Sequence, residues 1–179
     1  MMQLLKTSAM LALLAVAAGM PVQAQTAKAE LQAAIDDAAS KVVALAEAVP
    51  AEKFGWRPAP GVRSVSEVLI HVASGNMGIP SMAGVTRKPD RPLARDAEKT
   101  VTTKAAVVAA LKDSYAFAKL AVADLPDAQL NDPVDLFGQK STKRGVLVLL
   151  ATHNHEHLGQ MIAYARMNGI APPWSRSGN

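Results

Sequence analysis

No cysteine occurs anywhere in the 179 residues. Its absence excludes a disulfide framework, a thiolate nucleophile and any Cys-ligated zinc or iron–sulfur centre, leaving His, Asp and Glu as metal ligands. Aromatic residues make up only 4% of the chain. Ala and Leu recur with little β-branched alternation, which disfavours a strand-rich sandwich and favours helices. Charge of one sign is scarce too, with a formal balance of +4. No basic face interleaved with aromatics appears, so nucleic acid is not an expected partner. What is present is a globular composition, 50% apolar and 19% charged, in a length that suits one domain.

Lys6 supplies a short positive segment, and Ala9 to Met20 form an apolar stretch of about a dozen residues, short of the roughly 20 a membrane span needs. Val22-Gln23-Ala24 then has the small-residue spacing of a cleavage site. Residues 1–24 are therefore expected to be a cleavable secretory signal peptide and residues 25–179 a single exported domain, periplasmic or secreted. Cleavage removes one charge, Lys6, and leaves no stable membrane span.

Thr26 to Val49 carries Leu31, Ile35, Val42, Leu45 and Val49 near helical spacing before Pro50 stops it. Breakers fill residues 54–61, after which Ser64-Val65-Ser66-Glu67 is a capping-box pattern that opens a second helix. That helix buries Val65, Val68, Leu69, Val72 and Ile79 and fades near Pro80. Residues 85–101 read as loop, and the basic cluster Arg87, Lys88, Arg91 and Arg95 as solvated, with anion recruitment as the alternative. A third helix follows from a Thr103 cap through Leu125, with Val107, Leu111, Phe117, Leu120 and Val122 as its core face. After a loop over 127–140, Ser141 or Thr142 caps a fourth helix running to about Asn168, with Gly169 placed for a left-handed C-terminus. No internal repeat or strand pair is evident. The expected fold is all-α: a four-helix bundle with a long crossover between helices two and three.

Three of the four histidines lie in Thr152-His153-Asn154-His155-Glu156-His157. At about 100° per residue, His157 falls about 40° from His153, on a face shared with Val146, Leu149, Leu150, Gln160 and Tyr164, so the pair replaces apolar residues in the buried stripe. His155 falls about 200° away and is expected to face solvent or a neighbouring subunit. Two imidazoles one turn apart can share a cation, but two ligands rarely suffice. The third candidate is His71, at the edge of the second helix's apolar face beside Glu67, Gly75 and Gly78. Three histidines with an open fourth position describe a catalytic rather than a closed structural site.

These segments resemble the DinB-like (DinB/YfiT-like) superfamily of metal-dependent proteins across essentially the whole mature chain. The N-terminal likeness lies in Trp56-Arg57-Pro58-Ala59-Pro60-Gly61, Ser64-Val65-Ser66-Glu67 and Leu69-Ile70-His71-Val72. The more specific C-terminal likeness is His153-Asn154-His155-Glu156-His157-Leu158-Gly159-Gln160, continuing to Tyr164 and Trp174. Leu158 departs from the Arg often found there, at a position that is not a ligand. The resemblance implies a four-helix bundle and a three-histidine divalent metal site at His71, His153 and His157. Relatives include transferases and isomerases in which the metal activates a low-molecular-weight thiol. Because such thiols are mainly cytosolic, export weakens that reading for this chain.

Two functional classes follow. In the first, the protein is a metal-dependent enzyme of the transferase or hydrolase type, with zinc or nickel as the expected ion and a small-molecule substrate. Gln160 is then placed to orient a substrate or a ligand ring, and Glu67 and Glu156 to act near the site or, as neither is paired with another carboxylate, to cap or face solvent. In the second, it is a non-catalytic, stress-associated bundle in which the ion pins helix two to helix four. A homodimer is compatible with either.

Overall fold

A computed structural model describes residues 26–178. The expected signal peptide lies outside the described residues. Four long helices dominate: α1 (Ala27–Ala48), α2 (Val65–Gly78), α4 (Lys104–Ala123) and α5 (Lys143–Met167), with a one-turn α3 (Ala97–Thr100) inside the crossover. A hydroxyl side chain caps each long helix. Thr26 accepts from the Ala29 N–H, Thr103 from Ala106 and Thr142 from Gly145. Thr142 is thus the cap of α5, and Ser141 is not. At α2 the capping box is complete: Ser64 Oγ accepts from the Glu67 N–H, and Glu67 Oε2 accepts from the Ser64 N–H at 2.6 Å. Each cap satisfies amide groups that the first helical turn leaves unpaired.

The principal contacts run α1 to α5, α5 to α2, α2 to α4 and α4 to α1. The chain's first two long helices therefore sit diagonally, and the crossover after α2 is what reaches α4. One apolar cluster gathers Val42, Leu45, Phe54, Leu69, Leu111, Leu158 and Met161, and a second gathers Ile35, Ile79, Ala118, Val122, Val146 and Leu150. Between them in sequence on all three helices lies a buried polar layer. Tyr115 donates to Asn154 Oδ1 at 2.7 Å, Asn154 Nδ2 to Asn76 Oδ1 at 2.8 Å, Asn76 Nδ2 to Ser114 Oγ at 3.1 Å, and Ser114 to the Leu111 carbonyl at 2.7 Å. Burial pushes the Tyr115 phenol upward, which keeps it a donor. Each side chain in the layer has a partner, so it joins α2, α4 and α5 without leaving an unpaired polar group.

Three sequence expectations are corrected. The 127–140 loop contains an antiparallel hairpin, β1 (Pro133–Leu136) with β2 (Gln139–Thr142), Val134 opposite Ser141. Four-residue strands with one β-branched residue in β1 carry almost no periodic signal; the pairing rests on the turn and on Val134 and Leu136 packing against the second core cluster. Residues 85–101 are not all loop, because α3 falls there. Leu120, assigned to the core face of α4, is 51% exposed. The turn at Phe137 and Gly138 has φ of 56° and 80°. Phe137 is thus a bulky residue in the left-handed region, which costs free energy that glycine or asparagine avoids.

Candidate metal centre

His71 extends from α2, and His153 and His157 extend from successive turns of α5. One nitrogen from each ring lies within 4.8 Å of the other two. Ring centroids are 5.1 Å apart for His71 and His153, 4.9 Å for His71 and His157, and 4.6 Å for His153 and His157. The buried positions of α5 include Leu147, Leu150, Ala151, Asn154, Leu158 and Met161. The stripe is thus centred nearer Asn154 than His153, and the ring pair occupies its flank. Displacement by one residue is what puts the histidines at the margin of the core, with His157 at 8% exposure and the His71 side chain at 29%.

The hydrogen-bond partners fix two of the tautomers. The Arg63 carbonyl only accepts, so Tyr164 donates to it at 3.0 Å. The Tyr164 oxygen then accepts from Gln160 Nε2 at 3.0 Å, which turns Gln160 Oε1 toward His157 Nδ1 at 2.8 Å. His157 therefore carries its proton on Nδ1 and keeps its Nε2 lone pair. His71 Nδ1 donates to Glu98 Oε1 at 2.9 Å, which likewise leaves the Nε2 lone pair free. A carboxylate or amide behind the distal ring nitrogen is the arrangement that orients metal-binding imidazoles. Trp56 packs edge-on against Tyr164, centroids 5.3 Å apart, and steadies that chain.

His153 has the third kind of environment. Its Nδ1 is buried and has no hydrogen-bond partner among the described residues. Its ring lies against Gly75, where a Cβ would collide with Cε1 and come within 2.9 Å of Nδ1. Burial first, then the neighbouring His157, His71 and Arg63, pushes His153 down to about 4. Burial lowers His71 as well, against the opposing pull of Glu98. Both shifts favour the neutral imidazole, the form that binds metal. Glu98 is held below the usual carboxylate range: burial opposes this, and hydrogen bonds from Arg63 and His71 outweigh it. The residues fit a divalent cation: three converging imidazoles, an unpartnered buried ring nitrogen and a cradle that only glycine leaves open.

The other sequence candidates are placed as follows. Gln160 hydrogen-bonds a ligand-candidate ring. Glu67 is engaged in the capping box and with Arg57 at 3.2 Å, its carboxyl lowered chiefly by the Ser64 backbone N–H. Glu156 is exposed. His155 is 43% exposed at its side chain, with Nδ1 2.9 Å from the Ala151 carbonyl and Nε2 4.0 Å from Asp37 on α1. In the basic cluster, Arg87 pairs with Asp124 at 2.6 Å and Arg91 with Asp113 at 3.3 Å. Sequence reasoning missed Glu98 and Arg63. Glu98 lies 27 residues beyond His71 in a stretch read as loop, and no periodicity links them.

Comparison with known proteins identifies the family and the fold. Residues 34–161 match the DinB superfamily, and the chain belongs to that family. Its fold is similar to the crystal structure of a DinB-like protein from Bacillus cereus, at a TM-score of 0.66 and 19% identity, covering 80% of this chain and 93% of that one. A DinB-like protein from Bacillus subtilis gives 0.61 and 20%, covering 78% and 92%. A conserved protein from Enterococcus faecalis gives 0.62 and 17%, covering 80% and 97%. Comparison with curated protein sequences gives no match.

Proposed function

We propose that this DinB superfamily member is an exported, metal-dependent enzyme of the thiol-dependent transferase or hydrolase type, with zinc or nickel held by His71, His153 and His157. One observation carries the reading: three imidazoles from two helices meet with their nitrogens within 4.8 Å, two of them fixed in tautomer from behind. When bound, such an ion lowers the proton affinity of a water or thiol and so supplies a nucleophile at neutral pH. The chain's own residues do the rest. Glu98 and Gln160 hold the Nδ1 protons of His71 and His157, Gly75 leaves room for the His153 ring, and the His71 side chain remains 29% exposed. Three protein ligands leave a fourth position for that molecule.

A purely structural ion is the competing reading. The Asn76 and Asn154 side chains already join α2 to α5 beside the histidines, and two apolar clusters surround that joint. A bundle held in this way has little need of an ion to stay folded, which supports the catalytic reading. The test is metal analysis of the purified mature protein, then a screen for thiol transfer and hydrolysis with and without the metal. Turnover that chelation abolishes while helicity persists is expected. Chelation that melts the bundle, with no exogenous azide or thiol reaching a cobalt-substituted site, would make the ion structural. Export rests on Lys6, the short apolar stretch and Val22-Gln23-Ala24, and an intact mass beginning at Gln25 is expected.

A further inference from the structure

Two hydrogen-bond chains leave the histidine cluster in different directions, and both end on one residue. From His71 the chain passes through Glu98 to the Arg63 guanidinium, with Nε 2.8 Å from Oε2 and Nη2 3.4 Å from Oε1. From His157 it passes through Gln160 and Tyr164 to the Arg63 carbonyl. Arg63 also directly precedes Ser64, the N-cap of α2, so its peptide unit is continuous with the helix that carries His71 two turns further on.

We propose that Arg63 is a positioning residue that sets His71 and His157 jointly, through its side chain for the first ring and its backbone for the second. The guanidinium fork holds the Glu98 carboxylate in the orientation that receives His71, because a planar donor pair matches a carboxylate in two places at once. The same pairing tethers the residue to α3, beside the capping-box bond to Glu67 that holds the Arg63–Ser64 peptide unit. That fixes the carbonyl from which the polarity of the Tyr164, Gln160 and His157 chain descends. Neither ring touches Arg63 through a hydrogen bond, yet each depends on it. The consequence for metal rests on the reading of these histidines as ligands; the coupling itself is a property of the metal-free protein.

The test is nitrogen-15 NMR of the histidine rings in metal-free protein, compared between wild type, Arg63→Met, Arg63→Lys and Tyr164→Phe. The Arg63 side chain is 44% exposed, so its loss leaves the core intact. Wild type should show the Nδ1–H tautomer at both His71 and His157. Arg63→Met should disturb both, including His157, which the guanidinium does not touch. Arg63→Lys should restore part of the pattern, since an ammonium pairs with Glu98 without the fork. Tyr164→Phe should disturb His157 and, through the shared anchor, His71. Cobalt affinity should fall about 10- to 100-fold in Arg63→Met and also fall in Tyr164→Phe, and the variant carrying both Arg63→Met and Tyr164→Phe should lose less than the product of the single losses. If Arg63→Met changes His71 alone, or the two losses multiply, the joint role is overturned. Failure of wild type to bind cobalt would reject the metal reading while the NMR comparison still decides Arg63.

Discussion

The imidazole of His153 occupies the space that a Cβ on residue 75 would fill. Gly75 lies in the last turn of α2, where glycine costs up to about 1 kcal/mol of helix propensity relative to alanine. Gly75→Ala should therefore separate function from stability. The added methyl forces the ring out of the cluster, while the helix gains propensity. Metal affinity should fall by at least about tenfold, with the unfolding midpoint of the metal-free protein changed by no more than a few degrees. Unchanged affinity in a well-folded Gly75→Ala protein would show that the ring's place against α2 is not needed.

His153→Ala and His157→Ala should each remove most of the bound metal, and His71→Ala should do the same from the other helix. His155→Ala should not, because its ring hydrogen-bonds within α5 and faces Asp37. Metal content per chain by elemental analysis checks this. Equal losses in all four variants would place the ion elsewhere.

The pH dependence of the metal-free protein follows from His153 and His71. Both are lowered in the fold, His153 from 6.5 to about 4. Between those values the unfolded chain binds more protons than the folded one, so stability falls as pH drops through about 6.5 and levels off near 4. Glu98, lowered as well, adds a loss of the same sign at lower pH. Urea midpoints from pH 7.5 to 4 should decline, and His153→Leu should decline less. A midpoint that is flat or rises over this range contradicts the assignment.

How much of this was legible in the sequence depended on whether a feature was local. The Ser64 and Glu67 capping box and the His153 and His157 spacing are set within one helical turn, and each pair comes together. His71 was recoverable from its helix face. The pairing of His71 with Glu98 was not, because it joins residues across the crossover. Nor was the centring of the α5 stripe on Asn154, since a buried Asn reads as polar until Asn76 and Tyr115 are seen to satisfy it. The hairpin escaped for a similar reason: its strands are too short to carry a period.

That polar layer makes its own prediction. Asn154→Ala leaves the Tyr115 hydroxyl and the Asn76 amide without their partner in the core, which costs on the order of 2–3 kcal/mol. Thermal melting of the metal-free protein should drop by roughly 5–10 °C. A drop under about 2 °C would mean that the layer is not coupled to the fold.

Phe137 offers the opposite sign. At φ 56° and 75% exposed, it gains little by packing and strains the turn. Phe137→Gly or Phe137→Asn should raise stability by about 0.5–1 kcal/mol in urea unfolding. A loss of that size would show that the ring contributes contacts to the folded state.

The central claim is that His71, His153 and His157 together hold one divalent ion with a position left open. Cobalt(II) titration of the protein, followed in the visible region and then challenged with azide, measures both parts at once. Three-histidine coordination requires saturation at one ion per chain, bands that are lost in His157→Ala and retained in His155→Ala, and a spectral shift on adding azide. Cobalt binding that is absent, or indifferent to His157→Ala, would contradict it.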